Sequence, residues 1–241
     1  MDKIIENFKT LIIALIIAIL IRSLLFQPFY IPSSSMEPTL LVGDRIFVSK
    51  YTYGYSRHSF PFSPPILNKR IFYSKPGYGD LVVFKTPLDN RTDFIKRLIG
   101  LPGDKIQIID GELFINNERM LRTKTGSRSD IRCAGYEKEV FEFKEELPNK
   151  KKHVAVYNKE SSILNTDIYT VPDKHYFFLG DNRDCSSDSR FLSKVGYVHE
   201  NNLVGKANII FFSNDTNKGS ILKFWNWSNS IRLNRFFKSL K

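Results

Sequence analysis

The 241-residue chain has only two cysteines and four histidines, too few for a disulfide framework or a cysteine-rich zinc module. The histidines are scattered without metal-ligand spacing, so no metal is expected. Acidic residues are in deficit, 25 against 36 Lys and Arg, leaving a formal charge of +11. That charge suits anionic lipid or nucleic acid but does not choose between them. Long apolar runs are also scarce: outside the N-terminus none approaches 18 residues, so at most one membrane span is expected. No internal repeat is visible. With 42% hydrophobic and 25% charged residues, wholesale disorder is excluded. The length fits one domain with an insertion, or two small ones.

What the chain does have begins at Leu11, where eleven apolar residues run unbroken to Ile21 and resume at Leu24. Ile4 to Phe26 spans 23 residues. At about 1.5 Å per residue, that helix covers a hydrocarbon core of roughly 30 Å. A cleaved secretory signal is the alternative, but the run is followed by Arg22, bulky residues and Gln27-Pro28-Phe29-Tyr30 rather than a small-x-small site. The expectation is a short cytoplasmic tail (1–8), an uncleaved single-pass anchor (9–26) and an extracytoplasmic main domain.

Residues 27–215 read as mainly β. Ile46-Phe47-Val48, Leu81 to Phe84, Lys105 to Ile109, Leu113 to Ile115, Tyr176 to Leu179 and Ala207 to Phe212 are short β-branched or aromatic runs. Asp110-Gly111 between two of them predicts a tight hairpin turn. Phe191 to Gly196 suggests a short helix. The aromatic, proline-rich stretch from Tyr51 to Pro65 predicts an irregular excursion. Residues 121–167 form a charged peripheral insertion in which Val140 to Phe143 and Val154 to Val156 suggest one hairpin. The basic tail, 216–241, carries Phe224, Trp225, Trp227, Phe236 and Phe237. It reads equally as an interfacial amphipathic segment or as a terminal helix packed on the core.

Three segments bear the residue types of a chemical site. Ile31 to Leu40 holds Ser33, Ser34 and Ser35 beside prolines, by itself an ordinary turn composition. A serine that attacks a carbonyl needs a base and donors for the oxyanion, and no histidine here has the context of a triad. Lys96 is the alternative base. On a strand it shares a face with Phe94 and Leu98, where desolvation favours the neutral amine. Moving a lysine from about 10.4 to near neutrality takes about 4 kcal/mol, which burial can supply. Gly180 to Arg190 concentrates carboxylates, amides and two arginines in a loop suited to charge-assisted hydrogen bonds. It lacks the spacing of a calcium-binding loop.

Taken together, Pro32 to Leu40, Gly79 to Phe84, Phe94-Ile95-Lys96-Arg97 with Gly100 to Asp104, and Gly180 to Arg190 resemble bacterial signal peptidase I. This is the membrane-bound Ser/Lys protease that removes signal peptides from exported preproteins. The resemblance implies an antiparallel β catalytic domain of the kind shared with LexA-like self-cleaving repressors, behind a transmembrane helix. It implies Ser35 as nucleophile and Lys96 as general base, forming a covalent acyl-enzyme and cleaving after small residues at −1 and −3. The Ser35 N–H and Ser33 hydroxyl would stabilise the oxyanion, and Ser186 would orient the lysine. Phe29, Ile31 and Ile95 would line the substrate pockets, while Asp181, Arg183, Asp188 and Arg190 would be structural partners near the site. No cofactor is implied. The implied partners are signal peptides and membrane lipid, not nucleic acid, with a monomer in the bacterial inner membrane.

Two positions depart from the family pattern: Ser34 where glycine is common, and Cys185 where asparagine is common. Cys133 and Cys185 could pair in an oxidising compartment, but 52 residues of separation do not establish proximity, and free thiols are the favoured expectation. A self-cleaving repressor would carry a DNA-binding domain where this chain has its apolar span. A membrane-tethered basic β-domain without activity would leave the serine-rich and Gly180 segments unexplained.

Overall fold

The computed structural model describes residues 2–133, 135–159, 163–219, 225 and 227–240. An α-helix, Asp2–Leu20, runs into a π-helical turn, Ile21–Leu25. Its segment Lys3–Leu25 is long and apolar enough to cross a membrane. The helix begins at Asp2, so residues 2–8 are helical and continuous with the apolar run. Its large apolar side chains, from Ile4 to Leu25, stand exposed, as a surface meant for lipid would. The helix passes directly into the edge strand Phe26–Tyr30, where Pro28 is tolerated because an edge position needs one fewer N–H.

The main sheet has eight antiparallel strands among the described residues. In spatial order seven of them are Phe26–Tyr30, Asp44–Ser49, Leu203–Ser213, Leu81–Lys85, Asp93–Gly100, His175–Leu179 and Val198–His199; Lys238–Ser239 adds to Leu203–Ser213. The apolar run from Leu81 to Phe84 has a simple cause. Leu81 and Val83 face one core with Ile31, Met36 and Ile46; Val82 and Phe84 face a second with Leu98 and Phe178. A strand buried on both faces loses the usual alternation. A four-stranded sheet of Tyr169–Thr170, Lys105–Ile109, Glu112–Ile115 and Glu118–Arg119 packs beside it. There Asp110 and Gly111 both take positive φ, 50° and 73°, as the two-residue turn requires.

The insertion is larger than one hairpin: Arg122–Cys133, Tyr136–Glu146 and Lys152–Asn158 form a three-stranded sheet. The first of these is charged and mostly exposed, so it carries no periodic apolar signal. Cys133 and Cys185 are bonded, with Cα atoms 5.3 Å apart, correcting the free-thiol expectation. The hairpin folds its tip back onto the loop after Leu179, so sequence separation was a poor guide to distance. Phe191 to Gly196 is a turn rather than a helix. The Lys194, Val195 and Gly196 N–H groups converge on the Phe191 carbonyl at 2.9 to 3.2 Å, and Gly196 takes a φ of 56°.

Residues 51–65 form two 3-10 turns and no strand, with Phe62 fully exposed. In the tail, Phe224 lies outside the described residues. From Ser230 onward the tail docks on the main sheet. Arg235 is buried against Asp44, Phe236 packs on Phe212 at 5.1 Å, and Leu240 joins the core. Trp225 and Phe237 remain exposed.

Candidate active site

Ser35 lies in the turn that follows the edge strand, and Met36 and Leu40 anchor this turn as fully buried members of the first core. Gly180 comes so close that a Cβ there would collide with Ser186 and the Ser35 carbonyl, so only glycine fits. The Asn182 side-chain amide donates to the Ser34 carbonyl at 3.1 Å, and its backbone N–H donates to the Ser35 carbonyl at 3.2 Å. The serine turn is therefore held through its carbonyls. Among the described residues the Ser35 N–H makes no hydrogen bond.

Lys96 approaches from the middle of the strand Asp93–Gly100, and its Nζ donates to Ser35 Oγ at 2.5 Å. The lysine is 4% exposed and its Nζ lies 5.2 Å from the Phe94 ring centre. Burial depresses its pKa from 10.5 to about 8, against the opposing fields of Asp188 and Asp181. Ser33 Oγ is 3.4 Å from Ser35 Oγ. The Ser186 hydroxyl is buried and makes no hydrogen bond of ordinary geometry, to Lys96 or to any other described residue. It lies near the Asp188 carboxylate and helps to keep it ionised.

Of the five charged residues of the Gly180 loop, Asp181, Arg183, Asp188 and Arg190 are buried, and each of these has a partner. Asp181 accepts from Arg97 at 2.7 Å and 2.6 Å and from the Thr39 hydroxyl at 2.5 Å. Burial pushes Asp181 up, but Arg97 outweighs it and holds the carboxyl below its ordinary range. Burial acts likewise on Asp188 and is overcome by Arg190, whose Nε lies 2.8 Å away. Asp188 also accepts from the Gly180 N–H at 3.0 Å. Arg183 reaches the insertion, donating to Glu145 at 2.9 Å.

A cleft of about 590 Å³ opens over Ser35 and Lys96, and Phe29, Ile31 and Ile95 line it. Two strand edges face this space. Phe26–Tyr30 is the end strand of its sheet, while the strand at Phe94–Lys96 pairs only with Leu81–Lys85, because His175–Leu179 joins it from Arg97 onward. An extended peptide could therefore pair on either side. Of the residues singled out from sequence, Phe29, Ile31, Ser33, Ser35, Ile95 and Lys96 line this cleft, while Asp181, Arg183, Ser186, Asp188 and Arg190 belong to the buried loop that follows Leu179. Sequence reasoning passed over Arg97, Thr39 and Asn182, although each sits inside one of the quoted motifs. Glu145, in a charged insertion, had no local signal.

A family model described as signal peptidase, peptidase S26, matches residues 4–212. Signal peptidase I of Rickettsia conorii is 44% identical over 243 residues, covering 93% of this chain and 88% of that protein. Signal peptidase I of Rickettsia massiliae is 41% identical over 254 residues, covering 98% and 92%. A solved signal peptidase I of Enterococcus faecalis is 25% identical and overlaps 55% of this chain and 97% of its own, at a TM-score of 0.32.

Proposed function

The chain belongs to the signal peptidase family, peptidase S26, and is a serine endopeptidase that removes signal peptides; from that premise we propose that it acts through a Ser35/Lys96 dyad. The observation that carries this reading is the 2.5 Å bond from a buried lysine amine to a serine hydroxyl in an open cleft. Neutral Lys96 takes the Ser35 proton as Oγ attacks the scissile carbonyl. The resulting ammonium then gives a proton to the departing amine. Water, deprotonated by the same lysine, releases the acyl group and restores the serine. The Ser35 N–H and Ser33 hydroxyl are positioned to meet the oxyanion, and removing one such donor typically costs about 10²-fold or more in rate.

The substrate enters as an added strand between Phe26–Tyr30 and the open edge at Phe94–Lys96. Phe29, Ile31 and Ile95 make the walls apolar and leave room for small residues at −1 and −3. Ser186 packs under the Gly180 loop and orients the lysine through Asp188, while Asp181, Arg183 and Arg190 fix the loop. The apolar helix, continuous with the edge strand, anchors the catalytic domain on the extracytoplasmic side of the inner membrane as a monomer. Lipid contacts the helix and the exposed aromatics.

Detergent-solubilised enzyme incubated with a preprotein carrying Ala-x-Ala before its cleavage site should release the signal peptide after the second alanine, as read by mass. Ser35→Ala and Lys96→Ala should each abolish cleavage, and Lys96→Arg should fail to rescue because arginine stays charged. Full activity in either alanine variant removes that residue from the chemistry.

A further inference from the structure

Resting on Ser35 as the nucleophile, we infer that the tip of the insertion sheet is a disulfide-locked clamp that positions the nucleophile turn, with Asn182 and Glu37 as its positioning residues. The strand Arg122–Cys133 is the outer strand of its sheet, so one side of its backbone has no neighbouring strand. Such edges are normally blunted or covered. Here Arg132 uses that side against the catalytic domain. Its N–H donates to Glu37 Oε2 at 2.8 Å, and its carbonyl accepts from Asn182 Nδ2 at 2.9 Å. The same Asn182 amide donates to the Ser34 carbonyl at 3.1 Å, and its backbone N–H holds the Ser35 carbonyl. Glu37 is buried two residues beyond the nucleophile.

Arg132 thus ties both flanks of Ser35 together by backbone groups alone, while its guanidinium turns away to Asp215 at 3.6 Å. The next residue, Cys133, is bonded to Cys185, which lines the catalytic cleft immediately before Ser186. Without that bond, the described residues of the hairpin tip would keep the two backbone hydrogen bonds of Arg132 and its ion pair with Asp215. A dithiol can open the clamp. The disulfide takes up two electrons and two protons to become two thiols, and the reagent leaves as a cyclic disulfide. The hydrolytic reaction itself involves no redox step, so any effect of reduction must pass through position.

The test uses the full chain in detergent micelles and a signal-peptide-bearing preprotein, with the rate of Ser35 labelling by a fluorophosphonate as a second readout. The disulfide-bonded wild type serves as reference; if it neither cleaves nor labels, the dyad reading itself fails. Reduction, and the Cys133→Ser/Cys185→Ser double variant, should lower kcat by about tenfold to 10²-fold with little change in KM, and labelling should slow in parallel. With the disulfide intact, Glu37→Ala and Asn182→Ala should lower kcat in the same way. Glu37→Gln, which still offers an oxygen to the Arg132 N–H, should recover it. A merely structural role would move the melting temperature without this kcat-against-KM split or the rescue. Unchanged kcat in reduced, folded enzyme overturns the proposal. If reduction unfolds the chain, equal kcat in Glu37→Ala and wild type overturns it instead.

Discussion

Among the described residues two lysines are buried near serines, and they face different atoms. Lys50 is 2% exposed and Lys96 is 4% exposed. Burial, as the leading cause, brings both to a pKa of about 8. Lys50 follows the strand Asp44–Ser49, where Arg22 adds to its depression, and its Nζ donates to the Ser59 backbone carbonyl. The Ser59 hydroxyl is itself committed to the Ser56 N–H at 3.1 Å. A carbonyl has no proton to give, so a neutral amine there has nothing to activate. Lys96 points instead at a hydroxyl in an open cleft, with the Ser33 hydroxyl 3.4 Å from it. A perturbed pKa marks a candidate; the identity and exposure of the atom it faces decides.

That contrast is most directly broken by exchanging each lysine for methionine. Lys96→Met is expected to lower turnover by at least about 10³-fold, while Lys50→Met, in folded protein, should turn over preprotein near the wild-type rate. Mass-resolved cleavage of the same substrate by both variants checks this. A catalytically dead but folded Lys50→Met would mean that the two lysines act together and that the comparison is false. A smaller effect concerns pH. Only neutral Lys96 can accept the serine proton, so kcat/KM should rise about tenfold per pH unit up to about 8 and level off above it. Lys50→Met should keep this profile. A rate independent of pH between 6 and 9 would remove Lys96 as the base, whatever its burial.

Much of the candidate site was legible because four local motifs together resemble those of signal peptidase I, although by residue type alone each is ordinary. Ser35 stands in a serine-proline turn, and Lys96 sits among apolar residues at strand spacing. Asp110-Gly111 fixed a hairpin because the turn demands positive φ from adjacent residues. What sequence could not supply was pairing across long separations. The Arg97–Asp181 ion pair spans 84 residues, and the Asn182 clamp on Ser34 spans 148. The strand Arg122–Cys133 has polar and charged residues on both faces, so it lacks an alternation to detect. Its function lies in backbone groups, which have no sequence signature. The same blindness explains Cys133 and Cys185: a hairpin tip can travel any distance along the chain to meet its partner.

The smallest expected effect is on stability, and it has a definite sign. Folded Lys96 titrates at about 8 and an unfolded lysine near 10.5, so between those values the unfolded chain binds more protons. Stability therefore rises with pH across that window, and the cost of burying the ammonium is fully present below it. Lys96→Met removes that charge with a side chain of similar length. It should stabilise the folded state below pH 8, by up to about 3 kcal/mol at the linkage limit, and the gain should shrink as pH approaches 10. Loss of the bond to Ser35 Oγ subtracts about 1 kcal/mol, since that hydroxyl can turn to water in the open cleft. Thermal unfolding of both proteins in micelles at pH 6.5 and 9.5 measures the difference. A methionine variant less stable at pH 6.5, or one whose advantage does not depend on pH, would mean that the lysine is accommodated without cost. In that event its nearness to neutrality would no longer distinguish it from a surface lysine, and only its geometry would.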